Sequence, residues 1–130
     1  MKKILDTGVP LTKALISEMK KETEKVNAKL LIVLIPSTIQ VKTDIFAPLL
    51  KSNYPDNKLV LDWFHDPERP QRIISEICKD LDIPYLDLLP VLRANNDKQL
   101  FIHGDWHFTE IGHTVVAQSL AKFLEENAVQ

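Results

Sequence analysis

The stretch Leu30-Leu31-Ile32-Val33-Leu34-Ile35, closed by Pro36, decides the fold. It neither alternates like a half-buried strand nor repeats like an amphipathic helix. A short apolar run that stops at a proline predicts a strand buried on both faces, as in a parallel sheet. Ile83-Pro84-Tyr85-Leu86-Asp87-Leu88-Leu89 reads as a second strand. Pro84 is tolerable at its start, where no ladder donor is needed.

Helical patterns surround these two runs. From Pro10 to Val26, Leu11, Ala14, Leu15 and Met19 share one face, and Pro10 suits a first turn. Asp44 to Lys51 predicts a short helix interrupted by Pro48, and Leu59-Val60-Leu61 a brief extended piece. Asp66 and Pro67 read as a cap and first position, followed by Ile73, Ile77 and Leu81 at four-residue spacing. Leu100-Phe101-Ile102 is short and extended. Thr109 caps a last helix with Ile111, Val115, Val116, Leu120, Phe123 and Leu124 on its apolar face. Alternation of this kind predicts an α/β fold, with parallel strands between two layers of helices.

The chain of 130 residues is one domain's worth, so residues 1–130 are expected to form a single domain. Apolar residues at 45% and charged residues at 26% exclude a disordered chain. A net charge of −2 gives no electrostatic case for nucleic acid or an anionic membrane. The apolar runs are too short to span a bilayer. Met1-Lys2-Lys3 begins like a signal peptide, but Asp6, Thr7, Gly8 and Pro10 replace the apolar stretch. The expectation is a soluble chain without an export signal, cytoplasmic as it stands. Cys78 is the single cysteine and lies in an apolar helical stripe, so it reads as a buried structural thiol.

In open sheets of this class, chemistry collects at the carboxyl ends of the strands. Two segments belong there: Pro36-Ser37-Thr38, and the cluster His103-Gly104-Asp105-Trp106-His107-Phe108-Thr109-Glu110-Ile111-Gly112-His113. Asp105 and His107 are two residues apart in a loop that leads into a helix. A carboxylate that close accepts the imidazole Nδ1 proton and leaves Nε2 free to take a proton from a nucleophile. Gly104 is expected to loosen the backbone beside the pair. The competing reading is a capping loop in which Asp and His satisfy backbone groups. A third is a metal site built from His103, Asp105, His107 and His113. The six-residue gap from His107 to His113 is not the four-residue spacing that places two ligands on one helical face. His65, beside Asp66 and Trp63, reads as a loop residue.

The string Gly104-Asp105-Trp106-His107-Phe108-Thr109-Glu110-Ile111-Gly112-His113-Thr114-Val115-Val116-Ala117 resembles the last block of the SGNH (GDSL-type) hydrolases. There an Asp and a His precede a terminal helix; Asp105-x-His107 looks like the Asp-x-His variant of the commoner Asp-x-x-His. The apolar strand ending in Pro36 and the Ile83 to Leu88 strand agree with the second half of that fold, so the likeness runs from about Leu11 to Leu124. It implies a three-layer α/β/α sandwich and a serine esterase or acyl-transferring chemistry on a small acyl ester. In it His107 is general base and acid, Asp105 is its orienting partner, and no cofactor or metal is needed. Trp106 and Phe108 either wall an acyl pocket or pack under the last helix.

The family's Gly-Asp-Ser nucleophile block and its Gly and Gly-x-Asn-Asp oxyanion blocks have no counterpart here; the glycines are Gly8, Gly104 and Gly112. Of Ser17, Ser37, Ser52, Ser75 and Ser119, only Ser37 stands at a strand end, which makes it the one candidate nucleophile. The chain thus looks like the C-terminal half of such an enzyme and is expected to be inactive alone. The runner-up is a non-catalytic α/β interaction module. Strands left without their family neighbours expose an apolar edge or helix face, which predicts a homo-oligomer.

Overall fold

The computed structural model describes residues 2–103 and 105–127, with side chains from residue 5 onward. Seven helices and two strands follow in the order α1 (Lys2–Lys25), β1 (Ile32–Leu34), α2 (Thr38–Val41), α3 (Thr43–Asn53), α4 (Lys58–His65), α5 (Arg69–Asp80), β2 (Tyr85–Asp87), α6 (Leu89–Ala94) and α7 (Glu110–Glu126) among the described residues.

β1 and β2 pair in parallel, with Ile32 opposite Tyr85, Val33 opposite Leu86 and Leu34 opposite Asp87. Successive side chains of a strand point to opposite faces, and the register uses both. Ile32 and Tyr85 pack on Ile16 of α1 and on Ile77 and Cys78 of α5. Val33 and Leu86 pack on Leu89 and Leu92 of α6 and on Val115 of α7. The result is a three-layer α/β/α arrangement around a narrow parallel sheet, and Cys78 is fully buried in it.

Both strands are entered from a left-handed residue that stops the preceding helix. Asn27 (φ 55°) and Asp82 (φ 51°) hold that conformation, which short polar side chains tolerate best after glycine. Ala28 N–H then bonds Thr23 O at 2.9 Å, and Ile83 N–H bonds Cys78 O at 2.8 Å.

Several local expectations differ from the structure. The first helix runs back to Lys2, with Pro10 inside it rather than in its first turn. Leu59, Val60 and Leu61 are helical, because Asn57 Oδ1 accepts the N–H groups of Leu59 and Val60 at 3.0 and 3.3 Å and starts α4. Helix α5 begins at Arg69 with Glu68 at the cap position, and Asp66 instead pairs with Arg69 and Arg72. The β1 residues are half-buried, not fully buried, because the sheet has two strands. Leu11, Leu15 and Met19 face outward, 58%, 57% and 49% exposed. No helix among the described residues is long and apolar enough to cross a membrane.

Candidate active site

A short hairpin carries the Asp-His pair. Phe101 and Phe108 form an antiparallel bridge, with their rings stacked 5.1 Å apart. Ile102 N–H bonds His107 O at 3.0 Å, and Thr109 N–H bonds Leu100 O at 3.0 Å. The Thr109 hydroxyl donates to Gln99 O at 2.5 Å and accepts Gly112 N–H at 3.1 Å, so one side chain ties the hairpin to the start of α7. Gly112 permits this closeness: a Cβ there would lie 2.2 Å from Leu100 O and 2.9 Å from Phe108 Cδ1. The role expected of Gly104 lies outside the described residues.

Asp105 and His107 meet at the tip. Asp105 Oδ1 is 2.5 Å from His107 Nδ1 and also accepts the backbone N–H groups of Trp106 and His107 at 2.5 and 3.1 Å. The hydrogen bond from the His107 ring, then that from its backbone, holds the Asp105 carboxyl below its ordinary range. A neutral imidazole that gives its Nδ1 proton to this carboxylate presents the Nε2 lone pair outward. The His107 side chain is 82% exposed, and its Nε2 has no hydrogen-bond partner among the described residues.

Ser37 does not join this pair. It caps α2 in a reciprocal arrangement with Gln40: Ser37 N–H donates to Gln40 Oε1 at 3.0 Å, and Gln40 N–H to Ser37 Oγ at 3.4 Å. Its side chain lines a separate apolar groove with Ile39, Leu59 and Trp63. His113, on α7, sets its ring edge-on to Phe108 at 5.7 Å. His65 ends α4 and is exposed. No three His, Cys, Asp or Glu side chains converge as metal ligands among the described residues.

Beside the pair lies a cavity of about 530 Å³, a size that suits a small molecule. Thr38 lines it from α2, Lys42 from the cap between α2 and α3, Phe46 from α3, and Phe101, Ile102, His103, Asp105 and Trp106 from the hairpin. Phe46 and Trp106 approach with ring centroids 6.1 Å apart. The two aromatic residues flanking His107 therefore divide the expected roles: Trp106 walls the cavity and Phe108 packs beneath, on Phe101. The Thr38 Oγ1 is buried without a hydrogen-bond partner, a state that costs about 1–3 kcal/mol. Sequence reasoning singled out Pro36-Ser37-Thr38 as a strand-end segment but chose Ser37 within it; Lys42, Phe46 and Gln99 escaped it altogether. No local pattern in the sequence marked them, because Thr38 starts α2, Lys42 caps it and Gln99 comes from the hairpin side, and only the tertiary fold brings them together.

Helix α2 is held in place by buried polar bonds. Gln40 Nε2 donates to Pro67 O and to Gln71 Oε1, each at 2.7 Å, and Arg93 Nε donates to Gln40 O at 3.2 Å. The segment after β1 is thus fixed against α5 and α6, and Thr38 and Lys42 are among the residues that line the cavity.

A parallel sheet between helical layers, with an Asp-x-His hairpin beside the residues that follow β1, is the arrangement of one class of hydrolase-like domains. A family model described as an SGNH hydrolase-like domain, acetyltransferase AlgX, matches residues 5–130, and the chain belongs to this family. No curated protein and no solved structure matches it.

Proposed function

We propose that the chain carries the base half of an acyl-ester site. His107 Nε2 takes a proton from an attacking hydroxyl or water and returns it to the leaving group, while Asp105 fixes the ring and steadies the imidazolium. The observation that supports this reading is the 2.5 Å contact between Asp105 Oδ1 and an imidazole whose other nitrogen is open to solvent. Membership of the SGNH hydrolase-like family supports it further. The reaction is hydrolysis or transfer of a small acyl group, and residues 1–130 act as one domain.

Among the described residues no serine or threonine hydroxyl hydrogen-bonds His107, so in this reading the nucleophile is water or a hydroxyl supplied from outside them. A second reading keeps the hairpin as a purely structural cap in an interaction module. It draws on the two backbone N–H groups that Asp105 Oδ1 also accepts.

Hydrolysis of p-nitrophenyl acetate by the 130-residue chain separates these readings. General-base assistance is worth roughly 10²–10⁴-fold. The expected rate is slow and does not saturate; it falls in His107→Ala and is unchanged in Ser37→Ala. A rate indifferent to His107 contradicts the base role. Saturable turnover lost in Ser37→Ala makes the chain a complete hydrolase with Ser37 as its nucleophile.

A further inference from the structure

We propose that Phe46 of α3 is a positioning residue for the Asp105–His107 pair and acts through the Trp106 ring. The proposal deepens the acyl-ester reading and rests on it for the chemistry that the placed imidazole performs. The seating of the hairpin tip is read without turnover.

The base and the tip of the hairpin are held differently. The base is locked by the Phe101–Phe108 stack and by Thr109, and Leu100 and Phe101 are buried. At the tip the hydrogen bonds among the described residues are internal. Ile102 N–H bonds His107 O at 3.0 Å, Asp105 N–H bonds Ile102 O at 3.1 Å, and three N–H groups converge on Asp105 Oδ1. Among the described residues no hydrogen bond or ion pair joins Asp105, Trp106 or His107 to a helix. The bond between Asp105 and His107 spans two residues, so it travels with the tip. It fixes the ring on the carboxylate and does not fix the tip beside the cavity.

Trp106 supplies the tie. Its backbone N–H bonds the same Asp105 Oδ1 as the His107 ring, so indole, carboxylate and imidazole form one small unit. Its ring stands 6.1 Å from that of Phe46, tilted by 33°, within the range of favourable aromatic pairs. Phe46 is held from α2: its N–H bonds Lys42 O at 3.1 Å, and Thr43 Oγ1 donates to Ile39 O and Gln40 O at 3.0 Å each. Helix α3 buries no residue, so Phe46 adds little to the core. Trp106 is 61% exposed, and the Phe46 ring is its aromatic contact. A pair of this kind favours the seated tip by roughly 2- to 10-fold.

The test is a double-mutant cycle of Phe46→Ala and Trp106→Ala in the 130-residue chain, read by p-nitrophenyl acetate hydrolysis and by NMR. Each single change is expected to lower the His107-dependent rate about 2- to 10-fold, and the double change to lower it no further than the slower single. Phe46→Ala should shift the Trp106 indole and the Asp105 and His107 amides. His107 should keep its Nδ1 proton, because its bond to Asp105 is local. The Tm should stay near that of the parent, because α3 has no buried residue. Phe46→Tyr retains the ring and should retain the rate, and Leu49→Ala, at an exposed position of the same helix, should match the parent. Additive losses, an unmoved Trp106 indole, no rescue by tyrosine, an equal loss in Leu49→Ala, or a His107 tautomer changed by Phe46→Ala each overturns the proposal. His107→Ala separates it from the acyl-ester reading. If hydrolysis ignores His107 while Phe46→Ala still shifts the Trp106, Asp105 and His107 signals, that reading falls and the seating of the tip by Phe46 stands.

Discussion

The two helical layers differ in how completely they close on the sheet. On the α6–α7 side, Leu88, Leu92 and Leu100 are fully buried, and Val41, Leu89, Phe101 and Val115 complete one cluster. On the α1–α5 side the buried set is smaller: Ile16, Ile77, Cys78 and Ile83. There α1 turns Leu11, Leu15 and Met19 to solvent. The Asp-His hairpin grows from the first layer through Leu100 and Phe101. A side chain that must be held for chemistry needs neighbours with locked rotamers, and the better-packed layer is the one that supplies them.

The largest expected effect follows from that contrast. Leu92→Ala empties a fully buried position next to Leu100 and Phe101 and should cost about 2–5 kcal/mol. Chemical denaturation measures the loss, and the Asp105 and His107 amide signals should shift with it. Ile16→Ala, in the thinner layer, should cost less and leave those signals in place. Equal costs with equal shifts would break the distinction between the layers.

Gly112→Ala acts at one contact. Its Cβ meets Leu100 O and Phe108, so the hairpin must move away from α7, at a cost of about 1–3 kcal/mol. Ester hydrolysis dependent on His107 should fall more than stability alone accounts for. A variant as stable as the parent would show that the hairpin is looser than its hydrogen bonds imply.

Between the layers' connecting helices, Asp66 is bonded by Arg72 and Arg69, with Arg72 Nη1 at 2.8 Å and Arg69 Nε at 3.2 Å. The Arg72 hydrogen bond leads in lowering its carboxyl from 3.8 to about 2. A depressed carboxyl stabilises the fold above its unfolded value and loses that contribution as pH falls through its folded value. Asp66→Asn should therefore lower Tm at neutral pH, and the gap to the parent should close as pH falls from the usual carboxylate range toward about 2. A gap independent of pH would assign the effect to packing.

The smallest effect on stability belongs to the exposed α1 stripe. Leu15→Glu with Met19→Glu should change stability by no more than about 0.5 kcal/mol per site. The same pair should abolish self-association at high protein concentration, read by light scattering. A monomeric parent chain would show that this face has no partner in a second copy.

The sequence made some of this legible and hid the rest for physical reasons. The run from Leu30 to Ile35 announced a strand because nothing polar interrupts it, and it also overstated burial, since composition does not reveal how many strands flank it. Leu59 to Leu61 looked extended; the cap at Asn57 that makes them helical lies before the apolar triplet. On α1, Leu11, Leu15 and Met19 form one apolar face that is turned outward, and Val9 and Ile16 pack on the core, because periodicity shows that a face exists and not what covers it. Asp105 and His107 were readable because two residues suffice to bring them together. The Thr38–Lys42 wall was not, because only the tertiary fold carries the hairpin to α2.

The central claim is that Asp105 fixes His107 with its proton on Nδ1, leaving Nε2 as the base. Long-range proton–nitrogen NMR of the His107 ring, in the parent chain and in Asp105→Asn, tests it most directly. For the neutral ring, the account predicts a protonated Nδ1 and a bare Nε2 in the parent, with the tautomer balance changed in Asp105→Asn. A proton resident on Nε2, or a tautomer indifferent to Asp105, would contradict it.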